Sequence, residues 1–426
     1  MSGKSGSRKP SGKRREASVN REESGVAQMD FRMNFEVPMS SPDISEAERA
    51  AVNEVMRGNA LSMGPFQLRF EAAIREFCGA KHAIAVNSGT SGLHLAVRAC
   101  GWSDGDFVIT TPFSFVASTN VLLYERITPI FVDVDPQVGN IDPTLVAEAA
   151  ADFNAGGSRR ARWLPERGYR ADGKLKGILA VDVFGQPADY DALNTIAAES
   201  GLAVIEDSCE ALGAGYKGRP AGLDGAAGVF AFYPNKQLTT GEGGMIVTND
   251  DELAMKMSAM RNQGRAPGDT WLEHTYLGFN YRMSELNAAL GAAQMSRIET
   301  LLANRERVAG WYFEELADLE EITLPAKAAT TTRDSWFVFV VRLARGIDRD
   351  RVIHQLNALG VPVRPYFAPI TDQPYIRDLF GYESERFPVA VDSGRRGLAI
   401  PFSGVMRREQ VALVGAALRQ VLRKEI

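Results

Sequence analysis

The chain has 426 residues, 45% apolar and 24% charged, an ordinary globular balance that excludes wholesale disorder. Its 48 basic and 53 acidic side chains leave a net charge of −5, which argues against nucleic acid as a general partner. Three cysteines (Cys78, Cys100 and Cys209) without CxxC spacing and four histidines without an HExxH pair give neither a disulfide framework nor a zinc site, and no apolar run approaches a membrane span. A soluble, cytoplasmic protein without a metal centre is the expectation.

Residues 1–30 set Lys4, Arg8, Lys9, Lys13, Arg14 and Arg15 among Ser and Gly, with no apolar run of the kind a secretory signal needs. They read as a solvated basic tail, with a nucleic-acid or membrane tether as the alternative, and Met29 and Met33 are alternative starts. Ser45 and Glu48 then form an S-x-x-E capping box that opens a helix ending at Gly58. From 67 to 260, helical patterns alternate with short β-branched runs: HAIAV, DFVITT, TPIFVDV, GILAVDVF, LAVIED, GVFAFY and GMIVTN. This alternation predicts an α/β fold with a mostly parallel sheet covered by helices, and a site beyond the carboxyl ends of the strands. Within it, residues 152–176 are a polar, Arg- and Gly-rich insertion that reads as a long surface loop or hairpin.

After 284 the texture changes. One long helical stretch leads into a strand at Ser335–Leu343, a helix at Arg349–Leu359, a Pro-rich turn and an amphipathic helix near 407–423. The predicted division is a tail over 1–30, a large domain over 31–284 and a smaller C-terminal α+β domain over 285–426. Two nucleotide fingerprints are rejected. Gly213-Ala-Gly215-Tyr-Lys-Gly218 matches G-x-G-x-x-G, but no helix can start in the RPAGLDGAAG that follows. The P-loop-like Gly168…Gly173-Lys174 continues with Leu175, where magnesium would need a hydroxyl.

Four features fall at predicted strand ends. Gly89-Thr90 lies in NSGTSG between a strand and a helix, where backbone N–H groups and the helix dipole favour an anion, although a plain capped turn has the same residues. Phe113 and Phe115 follow the next strand, either as core or as a ring exposed for stacking. Asp207 ends LAVIED, as a turn cap or as a charge aimed at a cofactor. Lys236, between FAFYPN and the Gly-rich TTGEGG, is either an ordinary surface lysine or a confined amine. Together the four fit pyridoxal 5'-phosphate and its pyridoxamine form. The lysine forms the Schiff base and moves protons, and the carboxylate keeps the ring nitrogen protonated. No other common cofactor needs all four.

The series SGTSGLHLAV, TPFSFVAS, VFGQPADYDAL, VIEDSCEALGAGYKG, FAFYPNKQLTTGEGGMIVTND, RNQGR and GFNYRMSELNAALGAAQ resembles the DegT-type sugar aminotransferases, and the likeness runs from about 36 to 426. It implies a fold-type I enzyme in which Lys236 is catalytic, Asp207 pairs with the ring nitrogen, Gly89 and Thr90 hold the phosphate, and Phe115 stacks on the ring. It further implies that Asn280 reaches the phosphate of a neighbouring subunit, and hence a homodimer with shared sites. Ala231 stands where the family often has a phosphate-binding Ser. Glu210 stands where many relatives have Gln, and that choice resembles the perosamine synthase-like, 4-amino-sugar-forming branch. The implied reaction moves the amino group of L-glutamate to a nucleotide-linked 4-keto-6-deoxysugar. A C3 aminotransferase remains an alternative. So does a pyridoxamine-dependent dehydratase, although that class carries His in place of the lysine. The nucleotide, the sugar and the pathway, O-antigen among them, stay open. Arg364, Tyr366 and the loop Gly58–Pro65 approach the sugar or serve packing.

Overall fold

A computed structural model describes residues 37–423, and the basic tail expected over 1–30 lies outside them. The capping box forms as its spacing predicts. Ser45 Oγ accepts from Ala47 N–H at 3.2 Å, and the Glu48 carboxylate reaches back to Ser45 N–H at 2.6 Å, opening α1 (Glu46–Arg57). Helix α2 (Pro65–Cys78) starts on a proline with no side-chain cap of its own and ends on left-handed Gly79.

Strands β1 (His82–Val86), β2 (Phe107–Thr110), β3 (Thr128–Phe131), β4 (Leu175–Val181) and β5 (Ala203–Asp207) appear where the apolar runs place them. A short pair, β6 (Gly215–Tyr216) and β7 (Arg219–Pro220), precedes β8 (Ala227–Ala231) and β9 (Gly244–Thr248). The large sheet has the order β1-β9-β8-β5-β4-β2-β3, and β9 alone among its strands runs antiparallel to its neighbours. Its register sets Val86 and Ala231 on either side of Gly244, and pairs Asp207 with Val229 and Val181. The ends of five strands therefore meet along one edge, and the site forms there.

Side chains alternate across this sheet. On β8, Val229 faces α3 (Gly89–Ala99), whereas Phe230 faces α2 and α9 (Glu285–Met295). In the parallel half, Ile109, Ile130 and Ile178 pack on α5 (Pro143–Ala155) and α7 (Tyr190–Ser200), whose stop is the left-handed Gly201. Burying each such chain contributes about 1.5–3 kcal/mol. A second core lies around β12 (Phe339–Leu343) and β14 (Gly397–Ile400), where Phe339 and Val341 meet Val308, Tyr312 and Leu316 of α10 (Ile298–Leu316). Helices α11 (Arg349–Ala358) and α14 (Arg408–Leu422) complete it.

Three details depart from or refine the pattern. The long helix read across α9 and α10 is broken at Ser296–Arg297: Arg297 leaves helical geometry, and its guanidinium reaches Asp43 and Glu48. The insertion is neither a bare loop nor a hairpin. It holds a short helix, α6 (Gly157–Ala161), and then turns that dock on residues 377–386. There Arg167 donates to the Arg377 carbonyl at 2.8 Å, and Arg386 donates to those of Leu164 and Arg162. The G-x-G-x-x-G run lies at the β6–β7 turn, with left-handed Gly213 and Gly218 and no helix after it. Among the described residues, no helix is long and apolar enough to cross a membrane.

Candidate active site

A cavity of about 450 Å³ opens over the meeting strand ends. Its walls hold Gly89, Thr90, Phe115, Asp207, Glu210 and Lys236, six of the seven residues singled out from sequence. Asn280 is not among them. It is exposed on a loop bridged to Asn262, and its neighbours Phe279 and Tyr281 pack against His94 of α3, with ring centroids at 4.8 and 5.9 Å. His94 Nδ1 also meets the Tyr281 hydroxyl at 3.1 Å, so the Asn280 loop and α3 are fixed to each other.

The cradle is built at the start of α3. Ser88 Oγ accepts from Ser91 N–H at 3.0 Å, capping the helix with its first N–H groups beside the cavity. Gly89 must be glycine: a Cβ there would lie 2.7 Å from the Ala231 Cβ and 2.8 Å from Cys209 Sγ. A close backbone approach of this kind, at a helix N-terminus, suits a phosphate. Ala231 lies in this wall and offers the cradle no side-chain hydroxyl.

At the end of β5, consecutive carboxylates separate by alternation. Asp207 lines the cavity and accepts from Cys209 N–H at 3.2 Å, whereas Glu206 accepts from Gly222 and Gly225 outside it. Burial pushes the Asp207 carboxyl up, with Cys209 and Lys236 opposing. Behind it, burial raises Asp182 to about 7, against hydrogen bonds from Ser208, Tyr190 and Ala188.

The Lys236 amine is held on two sides. Its Nζ lies 3.6 Å from Glu210 Oε1 and 3.7 Å from the centroid of the Phe337 ring. Glu210 is itself oriented by the Phe184 N–H at 2.9 Å, and burial raises its pKa against the pull of Lys236. Phe115 is 64% exposed, an uncovered ring on the wall, while Phe113 is core. Asn235 Oδ1, also in this lining residue set, is buried without a protein partner.

Tyr366 lines the cavity, whereas the loop Gly58–Pro65 does not, being pinned to Ser284 and Glu285. Sequence reasoning missed Phe337 and Phe367, which read as ordinary apolar positions far along the chain. It also missed Arg305, a charge set into the apolar face of α10 between Leu301, Leu302 and Val308; that interruption was the available signal.

A glycine-walled anion cradle, an exposed ring, a buried carboxylate and one enclosed lysine amine fit pyridoxal phosphate, and with this fold they define a pyridoxal-phosphate-dependent aminotransferase. The chain belongs to the DegT/DnrJ/EryC1/StrS aminotransferase family, whose model matches residues 42–419. It is 39% identical over 389 residues to the GDP-perosamine synthase of Caulobacter vibrioides, covering 91% of this chain and 98% of that protein. Among solved structures it resembles S. venezuelae DesV in complex with a ketimine intermediate (30% identity, TM-score 0.78, 90% and 98% of the two chains). It also resembles Helicobacter pylori PseC, an aminotransferase of pseudoaminic acid biosynthesis (27% identity, TM-score 0.81, 91% and 99%).

Proposed function

We propose that this aminotransferase moves the amino group of L-glutamate to the C4 keto carbon of a nucleotide-linked 4-keto-6-deoxysugar, in the cytoplasm and as a homodimer. The observation that carries the reading is the Lys236 amine enclosed between Glu210 and Phe337 at the mouth of the glycine cradle. The likeness to a GDP-perosamine synthase supports the sugar, and makes GDP the first nucleotide to try.

Bound pyridoxal phosphate supplies a conjugated ring that stabilises the electron pair left at carbon when a proton is removed. Gly89, Thr90 and the first N–H groups of α3 would hold its phosphate. Asp207 would keep a proton on the ring nitrogen, and Phe115 would cover a ring face. Lys236 would hold the cofactor covalently and then, as a free amine, carry the proton between the two carbons that exchange it. Glu210, beside that amine, would orient it. Asn280, exposed on its loop, would complete the phosphate site of a second copy.

The test is the visible spectrum of purified protein with pyridoxal phosphate. L-Glutamate should abolish the absorption band near the visible edge, and a GDP-4-keto-6-deoxysugar should restore it. Restoration by a 3-keto sugar alone would move the reaction to C3. Lys236→Ala should keep the fold and lower turnover by roughly 10²–10⁴-fold, the usual contribution of a proton-transfer group. Turnover within a few-fold of wild type would remove Lys236 from its role.

A further inference from the structure

The amine of Lys236 has two neighbours, and they come from different parts of the chain. Glu210 follows β5, while Phe337 lies just before β12 in the second core's sheet. Gln237 ties the Glu210 carbonyl to Ser335, and a second buried side chain ties the Lys236 backbone to the Phe337 segment. Arg305, 4% exposed, donates through one terminal nitrogen to the carbonyls of Asn235 (3.0 Å) and Lys236 (2.5 Å). Through the other it donates to those of Trp336 (3.0 Å) and Phe337 (3.3 Å).

Both carbonyl pairs belong to the residues that make the amine's surroundings: Lys236 itself, and the ring beneath its Nζ. Among the described residues no carboxylate is ion-paired with Arg305, and its guanidinium also stands 5.7 Å from the centroid of the Phe402 ring. Burial without a counter-ion pulls its pKa down to about 10. A desolvated, unpaired cation is costly and a hydrophobic side chain would fill the place more easily, so the arrangement calls for a reason in the carbonyls it holds. The planar fork suits that task, because it presents donors in fixed directions to two separate chain segments, which an ammonium cannot do.

We propose that Arg305 is a positioning residue for the reaction: it clamps the Lys236 backbone to the Phe337 segment and so fixes the amine over the ring. This rests on the reading of Lys236 as the proton-transfer residue. A purely structural arginine would tie α10 to its neighbours and leave the amine's reactivity unchanged, so the decisive readout is the amine.

Protein freed of cofactor is treated with limiting acetic anhydride across a pH series, and acetylation of Lys236 is followed by peptide mass spectrometry against Lys176 as reference. In Arg305→Met, Lys236 should be acetylated about fivefold or more faster, along a shifted pH profile, while Lys176 is unchanged. Loaded with cofactor, the variant should lose roughly 10–100-fold in kcat with KM little altered, the usual result of misplacing a reacting group by about 1 Å. Arg305→Lys, which keeps the charge but not the fork, should fall between the two. A wild-type acetylation profile in Arg305→Met overturns the proposal whatever the activity. If that variant does not fold, the same profile in Arg305→Lys decides by the same criterion. Should Lys236→Ala retain turnover, it is the role of Lys236 that fails, and the acetylation profile still reports whether the clamp exists.

Discussion

Replacing Glu285 by Gln tests how the helices around the site are anchored. Helix α2 begins on Pro65 and lacks a cap of its own, which would leave the N–H groups of Phe66 and Gln67 without partners. Glu285, 1% exposed and more than two hundred residues away, accepts from both, at 2.8 and 3.0 Å, and from Gly64 N–H at 2.9 Å. Gly64 has no room for a side chain, since a Cβ would lie 2.8 Å from that carboxyl group. A hydrogen bond to a charged acceptor is worth about 1.5–3 kcal/mol. Glutamine keeps one oxygen for two of the donors, now uncharged, and turns an NH₂ toward the third. Losing one bond and weakening two gives about 3 kcal/mol, or roughly 100-fold in the local opening equilibrium. Hydrogen exchange of peptides spanning residues 61–72 reads this directly. Exchange should rise by about that factor while peptides from β5 and β8 stay unchanged. Exchange within a few-fold of wild type would refute the reasoning that a remote carboxylate caps α2.

Two further predictions concern acid stability and the cradle. Glu48 is buried, which alone would raise its pKa. Hydrogen bonds from Ser45, Arg297 and Gln294 outweigh that and hold it at about 2, against 4.5. Its stabilisation is therefore full above 4.5 and lost as pH falls through 2, and Glu48→Gln should flatten the stability-against-pH curve in that window; an unchanged slope contradicts it. Gly89→Ala should weaken pyridoxal phosphate binding by roughly 10–100-fold, because the new Cβ displaces Ala231 or Cys209, an overpacking cost of about 1–3 kcal/mol. Equilibrium titration with the cofactor measures it, and an affinity within twofold of wild type would mean the cradle tolerates a side chain.

Much of the large sheet was legible because its strands are short apolar, β-branched runs bounded by Gly and polar turns, and local pattern suffices for those. The cavity residues Gly89, Asp207 and Lys236 were legible for the same reason: each lies within a few residues of a strand end that the pattern already locates. What escaped depends on distant partners. The helix break at Arg297 is invisible in a continuous apolar period, because it is set by Asp43 and Glu48 at the other end of the chain. Phe337 and Phe367 look like core positions until the second core brings them over the sheet, and Glu285 looks like any acidic first-turn residue.

Helix α10 has a mechanical consequence. Its 19 residues make a rod roughly 28 Å long. Leu301 and Leu302 are seated in one core and Val308, Tyr312 and Leu316 in the other, with Arg305 between them. A rod held in two blocks and pinned near its middle turns like a lever about the pin. A tilt of about 5° around Arg305 would carry the Leu316 end, about 16 Å away, through roughly 1.4 Å while the pin stays in place. The carbonyls of Lys236 and Phe337 sit at that fulcrum. Flexing of the second core against the first would thus be felt most at its far side, by α11 and α14, and least at the lysine.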